Sequence, residues 1–308
     1  MNTPQTHAAA SSTLSSATVQ TLISAEALQA LLADGKPVVV IDTGFDLADP
    51  QAGERAWCEA QVPGSHYLHL DRDLAGAKTG PGHLFRGRHP LPEHADFAAT
   101  LGRCGITPAT QVVALDRQGG RYAARLWWML RWMGHADVAV LDGGAAAWVA
   151  AGGALVGAAS ASVPISAPAS APPYPDRPSL AATITIDDLA LQLGRIRLVD
   201  ARAGERFRGE VEPLDATAGH IPGALNRFFK DNLGADGRFK SAAPLRADFA
   251  PLLGAEDAPQ VVHQCGSGVT ACHNLLAMEH AGLAGSVLYV GSWSEWSSQP
   301  SRPVARGG

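Results

Sequence analysis

An internal repeat constrains this chain more tightly than any local propensity, because two copies of one unit restrict the whole architecture at once. Val38-Val39-Val40-Ile41-Asp42 matches Ile196-Arg197-Leu198-Val199-Asp200, an apolar β-rich run closed by an aspartate, and the two aspartates are 158 residues apart. Gln61-Val62-Pro63-Gly64-Ser65 matches His220-Ile221-Pro222-Gly223-Ala224 at an offset of 159. Val112 to Asp116 then matches Val261 to Cys265 at 149, and Gly134, Gly143 and Trp148 recur as Gly282, Gly291 and Trp296 at 148. The fall of about ten residues requires one longer loop in the first copy, and Gly76 to Pro92 is the segment that supplies it.

Within each copy, strand-like runs alternate with helical patterns such as Ala25 to Leu32 and Ile186 to Leu193, and Gly134 and Gly282 stand as helix stops. That alternation predicts an α/β protein of two tandem domains, each a mainly parallel sheet flanked by helices. The expected layout is a loose tail over 1–17, a first domain over 18–150, an Ala/Ser/Pro-rich linker over 151–181 and a second domain over 182–308. With 46% hydrophobic residues in 308, there is material for two moderate cores.

The formal net charge of −5 leaves no basic stripe, so neither nucleic acid nor an anionic membrane has an electrostatic basis as a partner. The most apolar helical run, Leu126 to Leu130, is broken by Arg131 and Gly134, far short of the ~20 residues of a membrane span. No Lys or Arg precedes Lys36, which does not fit a secretory or transit leader. A soluble, cytoplasmic protein acting on a small molecule or another protein is expected. The four cysteines, at 58, 104, 265 and 272, lack zinc-site spacing and are too sparse for a disulfide framework, so free thiols and no metal are expected.

The chemistry concentrates at Cys265. It leaves an apolar strand, the loop Gly266-Ser267-Gly268-Val269-Thr270 follows, and Ala271 to His280 reads as a helix, so the thiol sits over a helix N-terminus. Unpaired backbone N–H groups there favour an anion, and the two glycines let the loop curl until its amides converge on the sulfur. A thiolate so placed is a nucleophile that can take the outer sulfur of a donor as a persulfide and pass it to an acceptor. Cys58, Cys104 and Cys272 lack this context and are read as small buried hydrophobes. The repeat puts Asp116 where the first copy would have its cysteine, which marks that copy as inactive.

The run Cys265-Gly266-Ser267-Gly268-Val269-Thr270 resembles the active-site loop of the tandem-rhodanese sulfurtransferases, the 3-mercaptopyruvate type above all. The likeness extends through Asp200-Ala201-Arg202, Arg206-Phe207, Gly219 to Ala224 with Asn226, Gly291 to Trp296, Trp127-Trp128 and Asp142-Gly143-Gly144. It implies a rhodanese fold in each domain, an active site between them, a persulfide on Cys265, and no metal or organic cofactor. It further implies that Ser267 relays a proton and that Arg206 binds the donor, with Gly266, Gly268, Val269 and Thr270 forming the cradle. The donor would be 3-mercaptopyruvate or thiosulfate, and the acceptor a thiol, cyanide or a thioredoxin-like protein. Arg202 is expected to tie its loop to backbone, and His220, His263 and His273 to serve structure.

Two positions depart from the family pattern. Gln61 stands where a relay histidine is expected and cannot act as acid or base near neutral pH, which predicts an incomplete relay. Asp215 stands where a second arginine is expected, so a two-arginine carboxylate site is not predicted. Two alternatives remain open at this level: a noncatalytic persulfide carrier or sulfur sensor, and, more remotely, a cysteine phosphatase, which would need an arginine closing the loop where Ala271 and Cys272 follow Thr270.

Overall fold

The computed structural model describes residues 20–157, 170–254 and 261–308. The tail expected over 1–17 and the middle of the linker lie outside the described residues.

Two parallel five-stranded sheets account for the repeat. The first contains β1 (Leu22–Ile23), β2 (Val38–Asp42), β3 (His66–Tyr67), β4 (Gln111–Leu115) and β5 (Val138–Leu141), ordered β1-β5-β4-β2-β3. The second contains β6 (Ala182–Thr183), β7 (Arg197–Asp200), β8 (Leu225–Asn226), β9 (Val261–Gln264) and β10 (Val287–Leu288), in the equivalent order β6-β10-β9-β7-β8. Every residue of β2 and β4 is buried, as a parallel strand covered on both faces requires, and this explains the unbroken apolar runs Val38 to Ile41 and Val112 to Leu115.

Helices α1 (Ala25–Ala33), α2 (Ala52–Glu59), α3 (Leu70–Asp73), α4 (His94–Arg103), α5 (Ala123–Trp132) and α6 (Gly144–Ala150) belong to the first copy. In the second are α7 (Ile186–Gln192), α8 (Gly204–Phe207), α9 (Ala242–Leu253), α10 (Ala271–His280) and α11 (Ser292–Trp296). Gly134 and Gly282 adopt φ of +76° and +73° just past α5 and α10, the left-handed stop their positions predicted.

Each sheet has a core of its own on one face: Leu28, Val40, Val113 and Trp148 in the first, Leu189, Leu198, Tyr289 and Trp296 in the second. Between the sheets lies one continuous core in which Trp128, Met129 and Met133 from the first copy join Phe249, Leu275, Leu276 and Met278 from the second. Buried apolar surface contributes roughly 25 cal/mol per Å². An interface built like a core therefore resists sliding and holds the groups it carries in one register. The segments flanking the middle of the linker are laid along the first copy: Ala171 N–H donates to Gly102 O at 2.7 Å and Tyr174 N–H to Ala98 O at 2.9 Å.

In the second sheet the chain runs outward to β8 from β7 and to β10 from β9, so the topological switch point lies between β7 and β9. Ligands of open parallel sheets bind in the crevice beyond the carboxyl ends at such a point. Arg202 and Cys265 follow those two strands directly.

Candidate active site

Cys265 leaves β9 into a loop whose carbonyls are turned away from the sulfur. Trp293 N–H donates to Cys265 O at 3.0 Å and Ser294 N–H to Gly266 O at 2.9 Å, while Ser292 Oγ accepts from Cys265 N–H at 3.1 Å. This is the work of the Gly291 to Trp296 motif at the start of α11. Gly268 takes φ of +74°, and a Cβ on it would lie 2.3 Å from Val290 O, so only glycine fits. Among the described residues, the N–H groups of Gly266, Ser267, Gly268, Val269 and Thr270 find no hydrogen-bond acceptor.

The first copy shows what such a cradle holds. Asp116, in the place of Cys265, is buried, and its carboxylate accepts from the N–H groups of Gln118 and Gly120 at 2.8 Å, Tyr122 at 2.8 Å and Ala123 at 3.1 Å. The amides of that loop therefore close on an anion supplied by the chain itself.

Cys265 faces a cavity of about 160 Å³ between the domains. Leu70, Arg88, His89, Arg121 and Tyr122 line it from the first copy, and Arg206, Phe228, Gly266, Ser267, Val269 and Thr270 from the second. Of the residues expected to form the cradle, Gly268 alone is not on the cavity wall. It stands behind it, where its carbonyl accepts from Arg125 Nη1 at 3.1 Å.

The other cysteines divide. Burial pushes the thiols of Cys104 and Cys272 up to about 11 and about 12, which makes them inert, as expected. Cys58 was expected to be buried and is not; it lies exposed near the end of α2, a short helix with only Gly53 buried.

The histidine missing at position 61 is matched by another from the first domain that reaches Ser267. Ser267 Oγ lies 2.7 Å from His89 Nδ1, and His89 Nε2 lies 3.3 Å from Asp71 Oδ1. Burial holds the His89 imidazole below its ordinary value of 6.5, and Asp71 opposes that shift; the bond to His89 in turn lowers the Asp71 carboxyl. Gln61 instead pairs with Val156 in an antiparallel bridge and takes no part. His89 escaped the sequence reading because it lies in the longer loop of the first copy, which has no counterpart in the second. The offset step that locates the loop was the available signal.

Arg206 reaches the cavity, with Nη2 bonded to Glu212 Oε1 at 2.6 Å. Asp215 does not leave it the sole arginine at that wall, since Asp215 pairs with Arg88 from the first copy and brings a second guanidinium beside it. Arg202 is spent on Asp200 and on Gly219 O, at 2.7 Å each, as its position suggested. His220 Nδ1 bonds Phe207 O at 2.8 Å, and His263 and His273 are buried, the latter with Nε2 2.9 Å from Gly119 O. Arg125, also unanticipated, is fully buried at the domain junction, where its Nη2 donates to His89 O at 3.1 Å.

Two layered α/β copies, one with a cysteine beneath converging loop amides and one with an aspartate bonded to the equivalent amides, define a tandem-domain class in which one copy carries a nucleophile. The family model for the rhodanese-like domain matches residues 24–151 and 185–299, and the chain belongs to that family as a sulfurtransferase. It is 45% identical over 290 residues to a probable 3-mercaptopyruvate sulfurtransferase of Pseudomonas aeruginosa, covering 93% of this chain and 98% of that one. It is also 38% identical to a putative thiosulfate sulfurtransferase of Mycobacterium tuberculosis, covering 94% and 98%. Among solved structures, a 3-mercaptopyruvate sulfurtransferase from Leishmania major superposes with a TM-score of 0.77 at 29% identity, covering 91% of this chain and 74% of that one. Among the described residues no helix is long and apolar enough to cross a membrane, and no cluster of potential metal ligands occurs.

Proposed function

We propose that the enzyme takes sulfur from 3-mercaptopyruvate in preference to thiosulfate, through a persulfide on Cys265. The observation that carries the donor preference is the Ser267–His89–Asp71 relay beside the cradle. Thiosulfate loses sulfite, a stable anion that needs no proton. 3-Mercaptopyruvate loses a carbanion equivalent, which does.

The Cys265 thiolate attacks the donor's sulfur; the S–S bond forms, the C–S bond breaks, and the electron pair passes to the methylene carbon as the enolate of pyruvate. Neutral His89, favoured by its burial, receives the proton leaving the donor's thiol and returns it to Ser267 as the Ser267 hydroxyl delivers its own to the methylene carbon, so both side chains end as they began. Asp71 holds the imidazole in orientation. An acceptor thiolate or cyanide then attacks the outer sulfur, and Cys265 departs as thiolate. The Asp116 cradle supports this scheme, since the outer sulfur of a persulfide stands as many bonds from its Cα as a carboxylate oxygen of aspartate does from its own.

In this scheme Arg206 binds the donor's carboxylate; Gly266, Val269 and Thr270 line it, and Gly268 shapes the loop. The first domain, 18–150, is the inactive copy, joined through 151–181 to the catalytic domain, 182–308. A carrier that accepts one sulfur and stops would have no use for a relay.

The test is steady-state transfer to cyanide, read as thiocyanate, by wild type and Cys265→Ser with each donor offered alone. Turnover lost in the mutant, and faster with 3-mercaptopyruvate in the wild type, is the expected result. Activity that survives in Cys265→Ser, or a preference for thiosulfate, would overturn it.

A further inference from the structure

Six charged side chains of alternating sign run from the second sheet to the first domain: Asp200, Arg202, Glu212, Arg206, Asp215 and Arg88. Arg202 Nη2 meets Asp200 Oδ2 at 2.7 Å, and Arg202 Nη1 meets Glu212 Oε2 at 3.3 Å. Glu212 Oε1 bonds Arg206 Nη2 at 2.6 Å, and Asp215 Oδ2 stands 3.6 Å from that same nitrogen. Asp215 Oδ1 then takes Arg88 Nη1, so one carboxylate touches both guanidiniums and sets their spacing.

The two arginines meet at the residue after the nucleophile. A Cβ built on Gly266 would lie 2.8 Å from Arg88 Nη2 and 3.4 Å from Arg206 Nη1. Among the described residues neither of those two nitrogens makes a hydrogen bond, and both arginines line the cavity. Adjacent planar guanidiniums with unmet donors match a carboxylate. Three acids balance three arginines along the line, so this side of the cavity offers directional bonds without surplus charge, and Arg121 on the same wall is the cation that no carboxylate pairs among the described residues.

We propose that Arg88, from the first domain, is the second guanidinium of a clamp for the donor's single carboxylate. Asp215 aligns the clamp and cancels one positive charge that a dianion would otherwise meet at this wall. Arg88 is thus a substrate-binding residue supplied across the interface, and Asp215 a specificity-determining one. This rests on the 2-oxo acid donor of the proposed function.

Steady-state kinetics with both donors tests it. Arg88→Met is expected to raise KM for 3-mercaptopyruvate about tenfold or more while kcat stays within about threefold, the signature of lost ground-state binding. If Arg88 only bridged the domains by neutralising Asp215, the double variant Arg88→Met/Asp215→Leu would regain the wild-type KM, and the clamp would be overturned. Asp215→Asn is expected to shift the ratio of kcat/KM values toward thiosulfate by about tenfold, because it releases one positive charge. An unchanged ratio would remove Asp215 from specificity.

Calorimetric binding of pyruvate to the Cys265→Ser chain separates the clamp from the donor. Its Kd is expected to weaken about tenfold in Arg88→Met/Cys265→Ser, a difference of about 1.4 kcal/mol. Pyruvate binding that depends on Arg88 in an enzyme that ignores 3-mercaptopyruvate would leave the clamp standing and the donor wrong. Pyruvate binding indifferent to Arg88 would overturn the clamp whatever the donor.

Discussion

Asp116 and Cys265 occupy one structural position in the two copies, and four backbone N–H groups close on the Asp116 carboxylate while the loop of Cys265 keeps its amides open. The first copy thus carries a permanent counterpart of the charged intermediate of the proposed scheme. Its carboxylate contributes to stability what the proposed persulfide would contribute only during turnover.

Cys265→Asp should therefore abolish sulfur transfer and yet stabilise the fold. Satisfying buried amides contributes about 1–3 kcal/mol, enough to raise the Tm by about 2 °C or more. A thermal melt of Cys265→Asp below that of Cys265→Ser would contradict the anion cradle. Asp116→Ala, which orphans four donors, should lower stability by about 2–4 kcal/mol in denaturant titrations.

In the proposed scheme the Ser267–His89–Asp71 chain makes donor-specific demands. His89→Gln should lower kcat with 3-mercaptopyruvate by about 10²–10³-fold, the usual range for loss of a positioned acid–base group. Thiosulfate turnover should change by about threefold or less, since sulfite leaves without a proton. Equal losses with both donors would show that His89 acts through loop structure instead.

Arg125 joins the two halves of the site. Its guanidinium donates to Gly268 O at 3.1 Å, His89 O at 3.1 Å and Leu74 O at 3.4 Å. Lysine keeps the charge but cannot reproduce the planar fork. Arg125→Lys should cost about 2–3 kcal/mol of stability through unmet carbonyls. It should also reduce kcat about tenfold with KM nearly unchanged, because it misplaces the relay against the sulfur without touching the donor. A KM effect with kcat intact would assign it to binding.

Two buried histidines oppose acidification of the fold. Burial pushes His263 down to about 3 and His273 down to about 4, from an ordinary 6.5. A folded-state value below the unfolded one means that the neutral form is favoured by folding. That contribution is complete above pH 6.5 and is lost as pH falls from there toward 4, at up to about 1.4 kcal/mol per pH unit for each histidine. His263→Leu, which also removes a buried Nδ1 that bonds nothing among the described residues, should hold its stability at pH 7. Guanidinium melts at pH 7, 5.5 and 4.5 should show a decline shallower than that of wild type by about one proton.

By itself the sequence determined the two-copy α/β architecture, and it singled out Cys265 and Arg206, which the fold sets at one cavity, with Asp116 in the counterpart loop. Each of these is written in short-range pattern: apolar runs buried on both faces, a strand that feeds a glycine loop and a helix, and an offset that repeats. What the tertiary structure decided is which distant groups meet at that cysteine. His89 lies 178 residues from Ser267, in a loop that only one copy carries, and Arg88 and Arg125 likewise reach the site from the other domain. Gln61 and Asp215 read as departures from the family pattern because the groups that reach Ser267 and Asp215, His89 and Arg88, stand at unrelated positions in the chain. Local propensity specifies elements, but convergence across an interface depends on how α5 packs on α10 and on the path of the loop from Gly76 to Pro92, and neither is encoded in residue spacing.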